Sequence, residues 1–496
     1  MRVWRQIKML RREAARFHDD DAGTVMVLFA MALVVFLGLV AMSFDLGRLA
    51  ITQTELQSYA DSVALAAAGE LDGRADSITR ARAAAALVAD TQTYGTGNRT
   101  MQGSANYTLT FYPTLPAQDT GALVNPTTDP LRAAFVRAEV TNQEVTLVFA
   151  AAFAALGNFD EIDNVRGARA TAGFTSFACD VTPLMFCLPS PAYTADGNIG
   201  SMINLRSGGQ GAPWGPGNFG FLDVTRSGAG QSGPCAGLAE AQQYRCLLGG
   251  VDVVDQCYGV PGGVDTLPGQ RVGLANAAMN TRFDMYTGPF QGAANNPLYA
   301  PAPNVSKGLV GGNGNGNGAG CVGSNPTPSP DTAKLPQDDC MGAGCGRFGD
   351  GNWNTGRANY VATNYGGVDP HPGAQTRWQY YKAEIDAAGG VASSTSILTG
   401  LSESGRPSCA PVQAPNAERR VVIAAGIDCN ANPISGAATG VPVQEYFRLF
   451  LTEPVGADSG PNPNFDIWAE VVGSAGNTGG AQTTDGIFRN VVQLYR

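Results

Sequence analysis

Residues 22–44, AGTVMVLFAMALVVFLGLVAMSF, run for 23 positions without one charged side chain. That length matches the ~20 apolar residues a helix needs to cross a bilayer. A cleaved secretory signal has an apolar stretch of roughly 7–15 residues followed by a small-x-small cleavage site. This run is longer and continues in helical register, so the expectation is a retained transmembrane helix in contact with the lipid bilayer. Arg2, Arg5, Lys8, Arg11, Arg12 and Arg16 precede it, whereas only Asp45 and Arg48 follow closely. Positive charge stays on the cytoplasmic side, which puts residues 1–21 in the cytoplasm as a basic tail and exports everything after Asp45.

The cysteines point the same way. Cys179, Cys187, Cys235, Cys246, Cys257, Cys321, Cys340, Cys345, Cys409 and Cys429 all lie beyond the apolar run. An even number of thiols in an oxidising compartment reads as a disulfide framework whose connectivity the sequence leaves open. No C-x-x-C occurs, so neither redox nor zinc-ribbon spacing is present. The chain carries a net charge of −10, and the tail 1–21 contributes six basic and four acidic groups, so the remainder is acidic. Nucleic acid is therefore not expected as a partner. With 64 glycines, 30 prolines and only 15% charged residues in 496, the exported part reads as loop-rich but not disordered.

Past the membrane run, Leu49, Thr52, Leu56, Tyr59, Val63 and Ala66 recur at three- and four-residue steps, an apolar seam on a helix. The transmembrane helix is thus expected to run on as a stalk to Glu70, about 70 Å at 1.5 Å per residue. Ala60, Ala64, Ala66, Ala67 and Ala68 keep it narrow. Leu49, Leu56, Tyr59 and Val63 are the candidates for docking against other helices; the alternative is that they pack only on the chain's own sheet. LDGRAD at 71–76 breaks the helix, and a second helix follows at about 76–90. YTLTFYP (107–113), FVRAEVTNQEVTLVF (135–149) and RGARATAG (166–173) have strand character. Residues 45–175 read as a stalk helix packed on a small sheet.

From 176 to 496 the texture becomes Cys-, Gly- and Pro-rich. GGNGNGNGAG (311–320) is expected as a mobile loop. RVVIAAGIDC (420–429), EYFRLFLTEP (445–454) and FDIWAEVVG (465–473) read as strands, and GIFRNVVQLYR closes the chain. The fold class expected is α+β: one transmembrane helix, a stalk on a small sheet, then a mainly β, disulfide-containing exported domain.

Only His18 and His371 occur, one on each side of the membrane, so no His-based catalytic or metal site forms in the exported part. Neither a phosphate-binding Gly-Lys pair nor a G-x-S-x-G elbow is present. Asp350-Gly351-Asn352-Trp353-Asn354 starts like a calcium loop, but Thr355 and Val361 stand where glycine and a bidentate glutamate are required, leaving an Asx-stabilised turn as the reading. The expectation is a protein that is not an enzyme, with no catalytic residue, metal, cofactor or small-molecule substrate.

The segment DDDAGTVMVLFAMALVVFLGLVAMSFDLGRLAITQTELQSYADSVALAAAGEL resembles the N-terminal module of Tad/Flp pilus assembly proteins of the TadE/TadG type. The matching positions are Gly23, Asp45, Gly47-Arg48-Leu49 and the Ala/Asp-rich stretch from Ala60-Asp61 to Ala68. FVRAEVTNQEVTLVFAAAFAALGNF and the later CDVTPLMFC, PGNFGFLD, NTRFDMY, GRFGDGNWN and RRVVIAAGIDC are similar in texture to exported parts of TadG-related proteins. Many of those proteins carry a von Willebrand factor A domain with a D-x-S-x-S metal motif. No such motif occurs here, so metal-dependent adhesion is not carried over. Type IV-like pilins are cut after a glycine and need a glutamate five residues on. Counted from Gly23 that position is Leu28, so permanent anchoring is expected rather than processing.

The resemblance implies a single-pass component of the bacterial inner membrane whose partners are other pilus assembly proteins or pilins, with the bulk of the chain periplasmic. The competing reading is a surface-displayed minor pilin or adhesin.

Overall fold

The computed structural model describes residues 22–94, 97–116, 121–149, 164–207, 213–224, 233–251, 257–259, 263–267, 272–305, 307–310, 321, 327–342, 344–402, 405–457, 465–477 and 487–495. The basic tail and the 311–320 glycine loop lie outside them. The chain divides into two compact units, one running to Phe174 and taking in the terminal residues from Val492, the other spanning Thr175–Val491.

Unit 1 is organised by one helix of 47 residues, Ala22–Ala68 (α1). The continuous apolar run and the alanine-rich second half favour helix throughout. Gly69 and Gly73, the latter at φ +76°, end it. Arg80, on the next helix Ser77–Leu87 (α2), clamps this corner by pairing with Glu70, with Asp72 at 2.6 Å and with Asp76 at 3.2 Å. A hairpin follows, Ala89–Tyr94 (β1) with Gly97–Gln102 (β2). An antiparallel sheet comes next: Tyr107–Tyr112 (β3), Phe135–Val140 (β4) and the first half of Arg169–Cys179 (β5).

Strand β4 alternates, with Val136, Ala138 and Val140 buried, so one face of the sheet meets the helix. The contact surfaces are small on both sides. Ala60, Ala64 and Ala67 of α1 share one apolar core with Ala138, Ala170 and Ala172 of the sheet. Missing side chains at these positions let the backbones approach. The expected strand 135–149 is shorter than its alternation suggests: β4 ends at Val140, and only Gln143–Glu144 pairs again, with Val165–Arg166.

Unit 2 is built on nine paired strands. The first five are Leu184–Cys187 (β6), Met202–Ser207 (β7), Asn218–Leu222 (β8), Val264–Leu267 (β9) and Val421–Ile427 (β10). The other four are Ala438–Val441 (β11), Glu445–Leu451 (β12), Gly456–Ala457 (β13) and Phe465–Asn477 (β14). Pairing runs β8 to β6, β6 to β10, β10 to β12 and β12 to β14. Strand β7 then joins β14 on one side and β8 on the other. Six strands thus close a circuit, which removes the exposed edges an open sheet would leave.

Alternate residues from all six strands, among them Phe186, Leu205, Phe221, Ala424, Leu449 and Ala469, belong to one buried cluster. Helices Glu240–Gly249 (α3) and Val272–Asn280 (α4) add Tyr244, Leu248 and Met279 to it. A second, aromatic core forms under helices Asn354–Tyr365 (α5) and Arg377–Ala387 (α6), where Trp353, Tyr360, Trp378, Tyr380 and Tyr381 gather around Phe450. The architecture is α+β, with a long apolar N-terminal helix followed by a strand-rich, disulfide-containing region.

All ten cysteines are bridged. The pairs are Cys179–Cys257, Cys187–Cys429, Cys235–Cys246, Cys321–Cys409 and Cys340–Cys345. Cys187 and Cys429 join segments 242 residues apart at the ends of β6 and β10.

Candidate functional site

Helix α1 carries two kinds of surface. From Val25 to Phe44 its large side chains are exposed, Phe29 by 67% and Phe36 by 66%, a degree of exposure that water does not tolerate over such a length. It is the one helix among the described residues long and apolar enough to cross a membrane. A buried stripe then begins at Ala41 and continues through Asp45, Leu49, Thr52, Leu56, Tyr59, Val63 and Ala67. These positions advance by three or four residues, the period of one helix face.

Asp45 is a carboxylate in that apolar stripe, just past the carboxyl-terminal end of the uncharged run. It is 4% exposed and accepts the backbone N–H groups of Val148 at 3.2 Å and Phe149 at 2.9 Å. Hydrogen bonds to an ionised acceptor are the stronger kind, which explains how a buried acid is retained there. Phe149 meets Phe44 edge-on at 5.8 Å, and the Arg48 guanidinium lies 6.0 Å from the Phe44 ring. Leu49 closes the collar with Val145 and Leu147. Farther along, the Gln53 and Gln57 amides reach the carbonyls of Gly167 at 3.0 Å and Arg169 at 3.1 Å, tying α1 to β5.

Of the four residues proposed for helix docking, Leu49 lies in the collar, and Leu56, Tyr59 and Val63 are fully covered by unit 1's own sheet. Tyr59 packs at 6.4 Å from Tyr107. Burial, reinforced by Tyr107 and Asp90, pushes its phenol up to about 12.

Unit 2 holds its charges inside. Arg377, wholly buried, pairs with Asp338 at 2.6 Å and with Glu470 at 3.2 Å. Glu470 also accepts the N–H groups of Arg377 and Trp378, 2.7 and 2.8 Å away, and so fastens the start of α6 to β14. A second buried acid, Glu384, accepts from Lys307 at 2.8 Å, Asn304 at 2.7 Å, and the phenols of Tyr360 and Tyr365, each at 2.6 Å. Desolvation pushes the Glu384 carboxyl up, but Lys307 and the two phenols outweigh it and hold the group below its ordinary value.

His371 is packed edge-on against Tyr380 at 5.1 Å and Tyr365 at 6.4 Å. The Asp350–Asn354 loop spends its oxygens on turns: Asp350 accepts the Asn352 N–H and Asn352 accepts that of Asn354. No group of three His, Cys, Asp or Glu able to hold a metal occurs among the described residues. Sequence reasoning did not pick out Arg377 or Glu470; the available signal was an acid or base set among apolar neighbours, as Glu470 is in IWAEVV.

Residues 23–70 match the family model described as putative Flp pilus-assembly TadE/G-like, so the similarity covers α1 from Gly23 to its end at Ala68 and the two residues after it. No curated protein and no solved structure matches the chain.

Proposed function

We propose that the chain is a non-enzymatic, membrane-anchored component of a Tad/Flp-type pilus assembly apparatus, acting by helix docking and by protein–protein contact in the periplasm. The observation that carries this reading is the coincidence of the matched segment 23–70 with the one helix among the described residues long and apolar enough to cross a membrane. Its orientation, with residues 1–21 in the cytoplasm of a bacterial cell and both folded units outside, is supported by six basic residues before the helix and ten cysteines after it. Partners are other pilus assembly proteins or pilins. Because Leu49, Leu56, Tyr59 and Val63 are already covered, they serve docking by holding the stalk in shape, and a partner helix meets the exposed side of α1 instead.

Mild crosslinking in membranes, followed by identification of the co-purifying proteins, tests the assignment. Pilus platform proteins or pilins recovered from the inner-membrane fraction are the expected result. Recovery with sheared fibres alone would replace the assembly role with that of a displayed minor pilin or adhesin. A carboxyl-terminal reporter active only in the cytosol would reverse the orientation.

A further inference from the structure

Lys307 is the one buried lysine among the described residues, 4% exposed, and it stands against two other enclosed polar groups. Asn304, three positions earlier, and Glu384 on α6 are each 1% exposed. The three side chains close a triangle. The Lys307 Nζ lies 2.8 Å from Glu384 Oε2 and 3.2 Å from Asn304 Oδ1, while the Asn304 Nδ2 donates to that same Oε2 at 2.7 Å. Amine and amide therefore share one carboxylate oxygen, and the phenols of Tyr360 and Tyr365 occupy the other.

The surroundings hold the triangle in place. The Tyr360 ring centre is 5.8 Å from Nζ, and the Asn304 carbonyl accepts from Arg420 at 3.0 Å. Gly405, at φ +73°, roofs both side chains: a Cβ there would sit 3.2 Å from Asn304 Oδ1 and 3.4 Å from Lys307 Cε. The buried cation of the Arg377 cluster is a guanidinium, which is no nucleophile at ordinary pH. Here a primary amine touches a carboxamide. The carbonyl carbon Cγ is one C=O bond, about 1.2 Å, from Oδ1, so a rotation of the Asn304 amide brings it to the amine.

We propose that Lys307 and Asn304 join in an isopeptide bond within unit 2, with Glu384 as the acid–base group. Glu384 takes a proton from the Lys307 ammonium across their 2.8 Å contact, leaving the neutral amine. That nitrogen attacks Cγ of Asn304, and Glu384 passes its proton to Nδ2 along the 2.7 Å hydrogen bond already present. The Cγ–Nδ2 bond breaks, and the departing ammonia takes up the proton that the attacking nitrogen sheds. An ammonium and a carboxamide go in; a secondary amide and one ammonium ion come out, with no oxidant, reductant or second substrate. Enclosure supplies the proximity that free aminolysis lacks. The reaction occurs once per chain, so it makes no enzyme of the protein, and it is independent of the pilus assignment. Closure leaves Glu384 its two phenol donors and adds the new amide N–H, hydrogen bonds that continue to favour the carboxylate.

The test is mass spectrometry of the full chain, purified in detergent, then reduced, alkylated and digested with trypsin. The expected product is a peptide running from Phe283 to Lys334, uncut after Lys307 and lighter by one ammonia, with fragmentation placing the loss between Asn304 and Lys307. A cyclic imide at Asn304 loses the same mass, and Lys307→Arg separates the two: full mass is expected, and an ammonia loss that persists would overturn the proposal. Glu384→Gln keeps both reacting residues and should slow closure about a hundredfold or more, leaving Lys307 open to trypsin. Closure at the original rate in that variant would overturn the acid–base assignment. A native chain of full mass, cut after Lys307, would leave a buried ion pair and nothing more, and the proposal would fall.

Discussion

Unit 1 has a core of residues with little to satisfy: alanines, valines and a few aromatics between one helix and one sheet, with its ion pairs on the surface around Arg80. Unit 2 encloses Arg377, Glu470, Asp338, Lys307 and Glu384 and ties its loops with all five disulfides. The difference follows from what each has available. Unit 1 borrows its largest apolar surface from α1, a helix long and apolar enough to cross a membrane. Unit 2, rich in glycine and proline, has long irregular connections whose ordering costs entropy, and covalent bridges reduce that cost in the unfolded chain.

The comparison breaks most readily at Cys187–Cys429. Replacing both by alanine should cost unit 2 about 4–5 kcal/mol, because the bridge closes a very long loop. Unit 1 should keep its melting transition, and a parallel loss there would mean the two are not separately stabilised. The same contrast predicts that reducing agent changes the gel mobility of the chain. Glu470→Ala should cost unit 2 about 3–4 kcal/mol in denaturant unfolding, since it strands Arg377 in the interior. Among its described residues unit 1 has no wholly buried ion pair, and its most sensitive lesion is steric. Ala64→Leu, fully buried between helix and sheet, should cost about 2–3 kcal/mol through overpacking. A smaller effect, about 1–2 kcal/mol and local, is expected for Asp45→Ala, read as faster hydrogen exchange at the Val148 and Phe149 amides.

The smallest expected effect is in acid. The Glu384 carboxyl is held below its ordinary value of 4.5, so its contribution is present above pH 4.5 and is lost as pH falls through the depressed value. Melting curves of unit 2 between about pH 5 and 2 should show this loss, and Glu384→Gln should flatten that part of the profile. An unchanged acid limb would remove Glu384 from the account.

Local pattern made much of unit 1 legible. The stalk expected from Thr24 to Glu70 is helical from Ala22 to Ala68, and the LDGRAD break and the strand at 107–112 follow from glycine placement and alternation. Three strands near the carboxyl end were equally readable, at Val421–Ile427, Glu445–Leu451 and Phe465–Asn477. Helices α5 and α6 were not. NTGRANYVATNY carries glycine and asparagines that lower intrinsic helix preference, and packing of Tyr360 and Val361 into the aromatic core overrides it. Closure of the six-strand circuit, through β6 with β10 and β7 with β14, and the Cys187–Cys429 bridge depend on contacts between segments more than 200 residues apart, which no local pattern encodes. Asp45 was legible as part of a motif, but its partners at Val148 and Phe149 lie about a hundred positions downstream.

The Asp45 collar sets a mechanical condition on the molecule. Phe44, the last residue of the charge-free run, adjoins the first engaged carboxylate, and α1 passes through Gly47 without a break. No linker stands between the lipid-facing rod and the folded body of unit 1. A thrust or twist applied to the apolar half of α1 therefore reaches the 145–149 segment within about one helical turn, and the helix cannot shift along its axis by a turn without dragging that segment with it.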